Sequence, residues 1–283
     1  MPTPIDFSAR RAAFAALHQR GCFLMPNPWD AGSARFLEQL GFAALASTSS
    51  GLAFSRGLPD GARALSREVV LAHLAELVAA TGLPINADFE SGYADDADGV
   101  ADSVRRCVAT GVAGLSIEDA TGDAAQPLFD LPVAVERLRA ARAAIDASGS
   151  GVILTARAEC FLVGHPRPLE ESLVRLQAYA EAGADVLFAP GVETAEQISA
   201  VVAAVAPRPV NVLMGDHSQL RLADLEALGV RRVSVGSALA RTAWTGFARA
   251  ARTLARDGDF SAFDGNLPFA ELNELFAAGS RRR

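Results

Sequence analysis

The chain has 283 residues, 50% of them hydrophobic, a formal net charge of −7 and 26 basic side chains, all arginine. This composition provides a sizeable core, and an acidic balance without a basic stripe argues against a nucleic-acid partner. Because arginine cannot act as an amine nucleophile, the lack of lysine excludes imine-forming aldolases, pyridoxal-phosphate enzymes and ordinary Walker ATPases.

The N-terminal segment and the cysteines indicate a cytoplasmic protein. Arg10, Arg11 and Arg20 interrupt the early apolar residues, and no apolar run approaches the length of a membrane span. We therefore expect neither a signal peptide nor a membrane partner. The three cysteines are too few and too scattered for a disulfide framework or a zinc cluster, so we expect them to be reduced.

A helix is predicted over about 5–20, and after it short β-rich runs alternate with amphipathic stretches, two of which have Ser66 and Asp95 as predicted N-caps. No linker divides the chain, so we predict one domain over 1–283. Eight strand–helix units predict an α/β fold, a (β/α)8 TIM barrel with an extra N-terminal helix. The strands are predicted near 22–26, 43–48, 84–89, 113–118, 151–157, 185–189, 209–214 and 231–236.

A C-terminal helical extension and tail over 258–283 has no place in a closed barrel. Its helical pattern runs from about Phe260 to Ala278. An amphipathic helix without a groove on its own barrel can bury its apolar side on a second copy, so we predict that the segment packs on another subunit.

Acidic side chains follow the third and fourth predicted strands. Asp88 and Glu90 face the same way if their strand continues to Glu90, and Glu118 ends the next strand. The carboxyl ends of barrel strands meet at one rim, where barrel enzymes have their active sites. These oxygen ligands suit Mg²⁺, with Mn²⁺ as the alternative ion, although solvated loop acids remain the simpler reading of any one of them. Asp119 should point elsewhere, into a salt bridge.

Other polar residues end or follow strands at the same rim. The planar fork of Arg157 suits a substrate carboxylate or an oxyanion, and an ion pair with Glu159 or Glu118 is an equal alternative. His217 is placed for proton transfer after the seventh strand. Asn211, inside that strand, is predicted to bond either a ligand or neighbouring backbone.

The run Ser47-Thr48-Ser49-Ser50-Gly51-Leu52 follows the second strand, and the small residues in it let backbone N–H groups approach an anion. Such a run is weak evidence alone, because Ser/Gly runs are usually loops. Asp60, in a Pro-Asp-Gly sequence, is most simply a turn residue.

Six short motifs together resemble the isocitrate lyase/phosphoenolpyruvate mutase superfamily, in the right order over nearly the whole chain. Its members bind magnesium and a 2-oxo acid or its enolate at the barrel mouth, and commonly exchange their eighth helix within a tetramer. The motifs are Ser50-Gly51-Leu52, Pro59-Asp60, Ala87-Asp88-Phe89-Glu90-Ser91-Gly92-Tyr93, Ile117-Glu118-Asp119, Ala156-Arg157 and Val210-Asn211.

The resemblance implies a role for each matching residue. It implies that Asp88, Glu90 and Glu118 hold the metal and that Asp60 contributes through a water. It also implies a homo-oligomer, a dimer or tetramer with helix exchange. The residues implied to bind substrate are Ser50, Gly51 and Leu52 through backbone amides, Arg157 as the cationic partner, and Asn211.

The chain departs from the superfamily where the lyases carry a Lys-x-Cys-Gly-His loop. Residues 120–127 read Ala-Thr-Gly-Asp-Ala-Ala-Gln-Pro, without thiol, imidazole or amine. Isocitrate and methylisocitrate cleavage would lack proton-transfer help of about a hundredfold to ten-thousandfold. Glu90 stands where aspartate is usual, and Gly191 stands near a glutamate of the lyases. Thr121, Asp123, His217 or water would then supply any later proton.

The leading functional hypothesis is a magnesium-dependent lyase or hydrolase that cleaves a C–C or C–P bond of a small 2-oxo acid through an enolate. The substrate would be of the pyruvate, oxaloacetate, 2-oxoglutarate or phosphonopyruvate type. Oxaloacetate decarboxylation is slightly preferred, because loss of CO2 needs an electron sink but no base. The alternatives are a catalytically retired 2-oxo acid binding protein and a metal-dependent pyruvate aldolase.

Overall fold

The computed structural model describes residues 7–61, 64–216 and 218–280, so the predicted proton-transfer residue His217 lies outside the described residues, as does the end of the tail. Eight parallel strands follow one another in the order β1-β8-β7-β6-β5-β4-β3-β2. The Ala46 N–H donates to the Pro26 carbonyl at 3.1 Å and joins the two ends of the sheet. The predicted barrel is confirmed. Its strands are β1 Phe23–Met25, β2 Leu45–Ala46, β3 Ile85–Asp88, β4 Gly114–Glu118, β5 Ile153–Arg157, β6 Val186–Phe188, β7 Val210–Leu213 and β8 Arg232–Ser234.

Helices lie between the strands and beyond both ends of the barrel. Ser66 caps its helix as predicted, accepting the Val69 N–H at 3.4 Å. The cap predicted at Asp95 is wrong by one residue, because the Asp96 side chain accepts the Gly99 N–H at 2.7 Å. The helices are α1 Ser8–Leu17, α2 Ala31–Gln39, α3 Ser49–Ser55, α4 Arg67–Ala80, α5 Ala97–Ala109, α6 Leu131–Ser148, α7 Pro168–Glu181, α8 Ala195–Val205, α9 Leu222–Ala227, α10 Ala238–Asp257 and α11 Phe269–Ser280.

Strand alternation divides the apolar core from a polar barrel interior. Leu115 and Ile117 of β4 belong to the main apolar cluster, whereas Ser116 between them borders a cavity inside the barrel. Phe14 of α1 is fully buried in a second, smaller apolar cluster that includes Met25 of β1. Apolar packing therefore surrounds a barrel whose inner wall is polar toward its mouth.

The C-terminal extension contacts its own barrel, and its predicted packing on another subunit stays a prediction. A short 3₁₀ turn at Ser261–Phe263 precedes α11, which packs on α2 of the same chain, where Gln39 donates to the Leu275 carbonyl at 2.5 Å. α10 also leaves much of its apolar side uncovered, since Ala240 is its one buried residue. Within 7–61, 64–216 and 218–280, no helix combines the length and apolar character needed to cross a bilayer.

Candidate active site

The guanidinium of Arg157 joins the carboxyl ends of three strands. Its Nη1 lies 2.7 Å from Asp88 Oδ1 and 3.2 Å from Glu118 Oε2, while its Nε lies 2.9 Å from Glu159 Oε1. The structure therefore brings Asp88, Glu118 and Arg157 together at one rim, as the strand ends predicted. Arg157 forms both of the ion pairs considered from the sequence, with Glu159 and with Glu118, and it forms a third with Asp88.

Charge and burial shift the titration of this group. Burial raises the pKa of Glu118 well above its ordinary range, although Arg157 opposes that shift, and burial likewise raises the pKa of Glu159. Burial alone would lower the pKa of Arg157, but Glu159, Glu118 and Asp88 raise it well above its ordinary value. Three carboxyl groups thus share one guanidinium, and burial disfavours the charged forms of two of them, Glu118 and Glu159.

Glu90 lies beyond the end of β3, so the two-residue period of a strand does not relate it to Asp88. Strand β3 ends at Asp88, and Glu90 has a positive φ of 43°, which turns the chain out of the extended conformation. Its Oε1 accepts a hydrogen bond from the Tyr93 hydroxyl at 2.8 Å. The condition for a shared face, a strand that continues to Glu90, is therefore not met, and the role of Glu90 as a metal ligand stays a prediction.

Asp119 lies behind the mouth, in a salt bridge as predicted. Its Oδ2 accepts from Tyr179 Oη at 2.6 Å and from Arg175 Nη1 at 3.1 Å, and its Oδ1 accepts the Glu159 N–H at 2.8 Å. This buried network fixes the backbone of Glu159, and the Glu159 carboxylate in turn holds Arg157.

A cavity of about 230 Å³ opens beside this group. Asp60, Asp88, Arg157 and Asn211 are the predicted site residues on its wall, along with Ser50. Partial burial and the nearby Asp88 charge raise the pKa of Asp60, so this residue belongs to the site and is more than a turn residue. Among the described residues that line the cavity, neither Thr121, Glu90 nor Glu118 occurs.

The loop after β2 forms the first turn of α3. Two of the three backbone amides predicted to bind an anion, those of Gly51 and Leu52, donate hydrogen bonds within this turn. The Gly51 N–H donates to Thr48 Oγ1 at 3.2 Å, and the Leu52 N–H donates to the Thr48 carbonyl at 3.0 Å. Both amides therefore have acceptors within the helix end, and their approach to an anion stays a prediction. Ser49 N–H donates to Asp88 Oδ2 at 2.9 Å, so this turn also positions a site carboxylate.

Thr121 holds its own loop together. Its hydroxyl donates to the Gln126 carbonyl at 2.5 Å and accepts the Asp123 N–H at 3.0 Å. A bridge between Ala120 and Leu128 closes the same loop. The proposed proton donor is therefore engaged in loop structure, because its hydroxyl has both a local acceptor and a local donor.

Several cavity residues were not found from the sequence. Phe188 of β6 lies under the Arg157 guanidinium, with its ring centroid 5.4 Å from the guanidinium carbon, and the exposed Leu162 borders the opening. Asn86 and Arg232 lie deeper on the wall. Polar side chains inside otherwise apolar strands were the available signal for the last two.

The donor chemistry of the mouth fits a hard divalent cation. Across 7–61, 64–216 and 218–280, no three His, Cys, Asp or Glu side chains already form a ligand cluster, because Arg157 lies between Asp88 and Glu118. Yet the site is rich in carboxylates, and the like charge of Asp88 raises the pKa of both Asp60 and Glu118. Carboxylates crowded in this way gain from an additional cation, and oxygen ligands are those that Mg²⁺ prefers.

Comparisons with known proteins agree with this geometry. The phosphoenolpyruvate phosphomutase family matches residues 14–255. A candidate lyase/mutase of Burkholderia cenocepacia J2315 has a solved structure with 49% identity and a TM-score of 0.92, covering 96% of this chain and 97% of that one. Oxaloacetate decarboxylase of Rhodopseudomonas palustris strain BisB18 is 30% identical over 81% of this chain and 77% of its own length.

A third similar protein is oxaloacetate acetylhydrolase, solved in complex with its product oxalate. It shares 27% identity and a TM-score of 0.86, over 98% of this chain and 96% of that one. Members of this superfamily are generally dependent on a divalent metal, and the relatives act on small acids. The chain therefore belongs to the phosphoenolpyruvate phosphomutase family, within the isocitrate lyase/phosphoenolpyruvate mutase superfamily, as an enzyme of the carbon–carbon lyase type.

Proposed function

We propose that this enzyme cleaves a C–C bond in a small 2-oxo acid, with decarboxylation of an oxaloacetate-like substrate as the reaction. The observation that carries the proposal is the position of Arg157, on the cavity wall and bonded to carboxylates from three strand ends. A guanidinium held in this way is oriented before substrate arrives, so it can stabilise an oxyanion without reorganising.

The reaction needs an acceptor for one electron pair. When the C3–C4 bond breaks, CO2 leaves and the pair moves into the C2–C3 bond, so negative charge develops on the C2 oxygen. Arg157 would stabilise that oxygen, and Phe188 would keep the guanidinium facing the cavity. A proton from water then completes pyruvate at C3.

A divalent cation is part of this proposal. Asp88, Glu118 and Asp60 would hold Mg²⁺, or Mn²⁺, with Glu90 contributing once its carboxylate leaves the Tyr93 hydroxyl. When bound, such an ion supplies a Lewis acid for the carboxylate and carbonyl oxygens of the substrate. The side chains that now contact Arg157 would turn part of their oxygen atoms toward the ion.

The loop after β4 is the reason to prefer decarboxylation. Its Thr121 hydroxyl is committed to Gln126 and Asp123, and residues 120–127 carry no thiol, imidazole or amine. Lyase reactions that require a proton from this loop would lack a donor, whereas loss of CO2 requires none. The decarboxylase and acetylhydrolase among the similar proteins support a substrate of the oxaloacetate type.

Turnover of oxaloacetate by the purified protein with Mg²⁺ tests the proposal. Pyruvate and CO2 should form in equal amounts, and Asp88→Ala should abolish their formation. Half-buried Asp102, which pairs with Arg67 at 3.3 Å, provides the matched control as Asp102→Ala. Tight 2-oxo acid binding without turnover would favour the retired binding protein, and aldehyde-dependent consumption of pyruvate would favour the aldolase.

We also propose that the enzyme is a homo-oligomer assembled through α10. Trp244 and Phe247 of this helix form an edge-to-face pair with ring centroids 5.3 Å apart and are 44% and 62% exposed. A groove of about 920 Å³ separates α10 from Phe54, Leu58 and their neighbours. Exposed aromatic pairs of this kind are typical of surfaces that a partner covers, and a second copy of this chain is the partner proposed.

A further inference from the structure

A second guanidinium lines the cavity, on β8. Arg232 is 1% exposed and lies beside Asn211, its register partner on β7, and Ser234 is on the same wall. Its Nε donates to Asn211 Oδ1 at 2.8 Å and its Nη2 donates to Thr155 Oγ1 at 3.0 Å. Its Nη1 lies 3.4 Å from His18 Nε2.

All three partners of Arg232 are neutral. His18 Nδ1 lies 2.8 Å from the Phe14 carbonyl and must carry the ring proton, so Nε2 accepts from Arg232. Burial, together with the Arg232 charge, lowers the pKa of His18 to about 3, which keeps the ring uncharged at neutral pH. No carboxylate of the described residues forms an ion pair with Arg232.

An uncompensated buried cation is costly. Burial lowers the pKa of Arg232 to about 9, and this direction means that the surroundings disfavour the charged form. The two buried arginines of the neighbouring networks, Arg157 and Arg175, are each paired with carboxylates. Arg232 therefore differs from them in lacking a counter-charge within the described chain.

Arg232 also determines how Asn211 presents its amide. Because Asn211 Oδ1 accepts from the guanidinium, its Nδ2 is the end that donates to Ser234 Oγ, at 3.0 Å. If the amide were flipped, the Asn211 Nδ2 donor would face the Arg232 Nε donor. Asn211 therefore offers the cavity an N–H donor, which suits a carboxylate or enolate oxygen of a ligand.

We propose that Arg232 is a positioning residue for an anionic ligand: it fixes the donor orientation of Asn211 and supplies the positive charge that the bound anion neutralises. This inference rests on the proposed function for the identity of the anion, a carboxylate or its enolate. It adds a second cation to the cavity wall, in addition to Arg157. A purely structural arginine that ties β5, β7 and α1 together is the competing explanation.

Two variants at His18 separate these explanations, because His18 contacts Arg232 but does not line the cavity. His18→Glu installs a counter-charge beside Arg232, whereas His18→Gln keeps a neutral acceptor of similar reach. Oxalate is the dianionic probe and oxamate is its monoanionic analogue, each titrated by calorimetry with saturating Mg²⁺. Circular dichroism verifies that each variant is folded.

We expect His18→Glu to weaken oxalate binding about tenfold, with a smaller loss for oxamate, because neutralising a nearby buried charge removes part of its attraction. His18→Gln should stay within about twofold of the parent for both probes, on the same electrostatic reasoning. Equal oxalate affinity in the two variants, or no oxalate binding to the parent protein, would overturn the inference.

If His18→Glu fails to fold, Thr155→Asp introduces the counter-charge at another partner of Arg232. The same loss of oxalate affinity is expected for that variant. The proposed function is scored separately, by oxaloacetate turnover of the parent protein. If the parent protein turns over oxaloacetate but His18→Glu and His18→Gln bind oxalate equally well, the proposed role of Arg232 is rejected and the proposed function is retained. Charge-dependent oxalate binding without turnover would instead reject the decarboxylase proposal and retain Arg232 as an anion-positioning residue.

Discussion

Asp88 and Arg157 form an ion pair at 2.7 Å between β3 and β5, across the intervening strand β4. Glu118 of β4 lies 3.2 Å from the same nitrogen, so Nη1 of one guanidinium holds two carboxylates together. A cation that entered this cluster would compete with Arg157 for both. The ion pair therefore couples the position of Arg157 to occupancy of the proposed metal site.

Replacement of Arg157 by lysine should reduce oxaloacetate turnover by about a hundredfold or more. In the parent protein, one nitrogen of Arg157 contacts Glu159 while another contacts Asp88 and Glu118. Lysine keeps the positive charge but has a single side-chain nitrogen, so the cation at position 157 loses the fixed orientation with which it would stabilise an oxyanion. Steady-state kinetics with saturating Mg²⁺ measures the effect, which should fall mainly on kcat.

Arg142 provides the matched control for this substitution. It pairs with Asp146 at 2.7 Å and with Asp185 at 2.9 Å, away from the cavity. Arg142→Lys should leave turnover within about twofold, since partly exposed ion pairs contribute little. Similar kinetic losses in both variants would assign Arg157 a general structural role.

Asp88→Asn should remove most of the stabilisation that Mg²⁺ gives to the folded protein. A ligand that binds only the folded state raises its melting temperature, and the neutral amide is a poorer ligand for a hard cation. Differential scanning fluorimetry across a Mg²⁺ titration measures this, with Asp102→Asn as control. A Mg²⁺-dependent shift of equal size in Asp88→Asn would place the ion elsewhere.

The strand ends were predictable because apolar runs terminate in charged residues at regular intervals. This pattern located Asp88, Glu118 and Arg157 at one rim, where the structure brings them within ion-pair distance. Glu90 lies at the same rim, where its carbonyl accepts the Glu118 N–H at 3.0 Å, but a period of two does not give its orientation, because its φ is 43° and the backbone is no longer extended. A left-handed glutamate has no clear sequence signal, since glycine or asparagine usually marks that conformation.

Arg232 shows a second limit of sequence reasoning. Next to Arg231, it reads as one more charge at a strand boundary, and nothing local indicates that its partners are His18, Asn211 and Thr155. Those partners lie on three other elements and meet only when the barrel closes. Hydrophobic periodicity predicts which elements form, but the pairing of polar groups inside the barrel depends on tertiary structure.

Phe247→Asp should shift the protein to a smaller oligomer. Phe247 is 62% exposed on α10, and a carboxylate buried in a subunit interface would be desolvated without a partner. Size-exclusion chromatography with light scattering measures the mass. Val69→Asp makes the comparable change at an exposed position of α4 and should keep the parent mass. An unchanged mass for Phe247→Asp would exclude this side of α10 from the interface.

Acid should destabilise the protein through His73 of α4, and His73→Leu should reduce that effect. Burial, assisted by the charge of Arg56, lowers the pKa of His73 to about 4 from 6.5, and its Nε2 has no hydrogen-bond partner among the described residues. Between pH 6.5 and about 4, His73 is protonated in the unfolded chain but neutral in the folded protein. The contribution of neutral His73 to the free energy of unfolding is therefore fully present above pH 6.5 and is lost as the pH falls toward 4.

The loss attributable to His73 approaches about 1.4 kcal/mol per pH unit within that window. Urea denaturation at several pH values should therefore give a shallower pH dependence of unfolding free energy for His73→Leu than for the parent. Val69→Ala, on the same helix, removes no titratable group and should keep the parent slope. Parallel curves for His73→Leu and the parent would mean that His73 is protonated in the folded state as readily as in the unfolded chain.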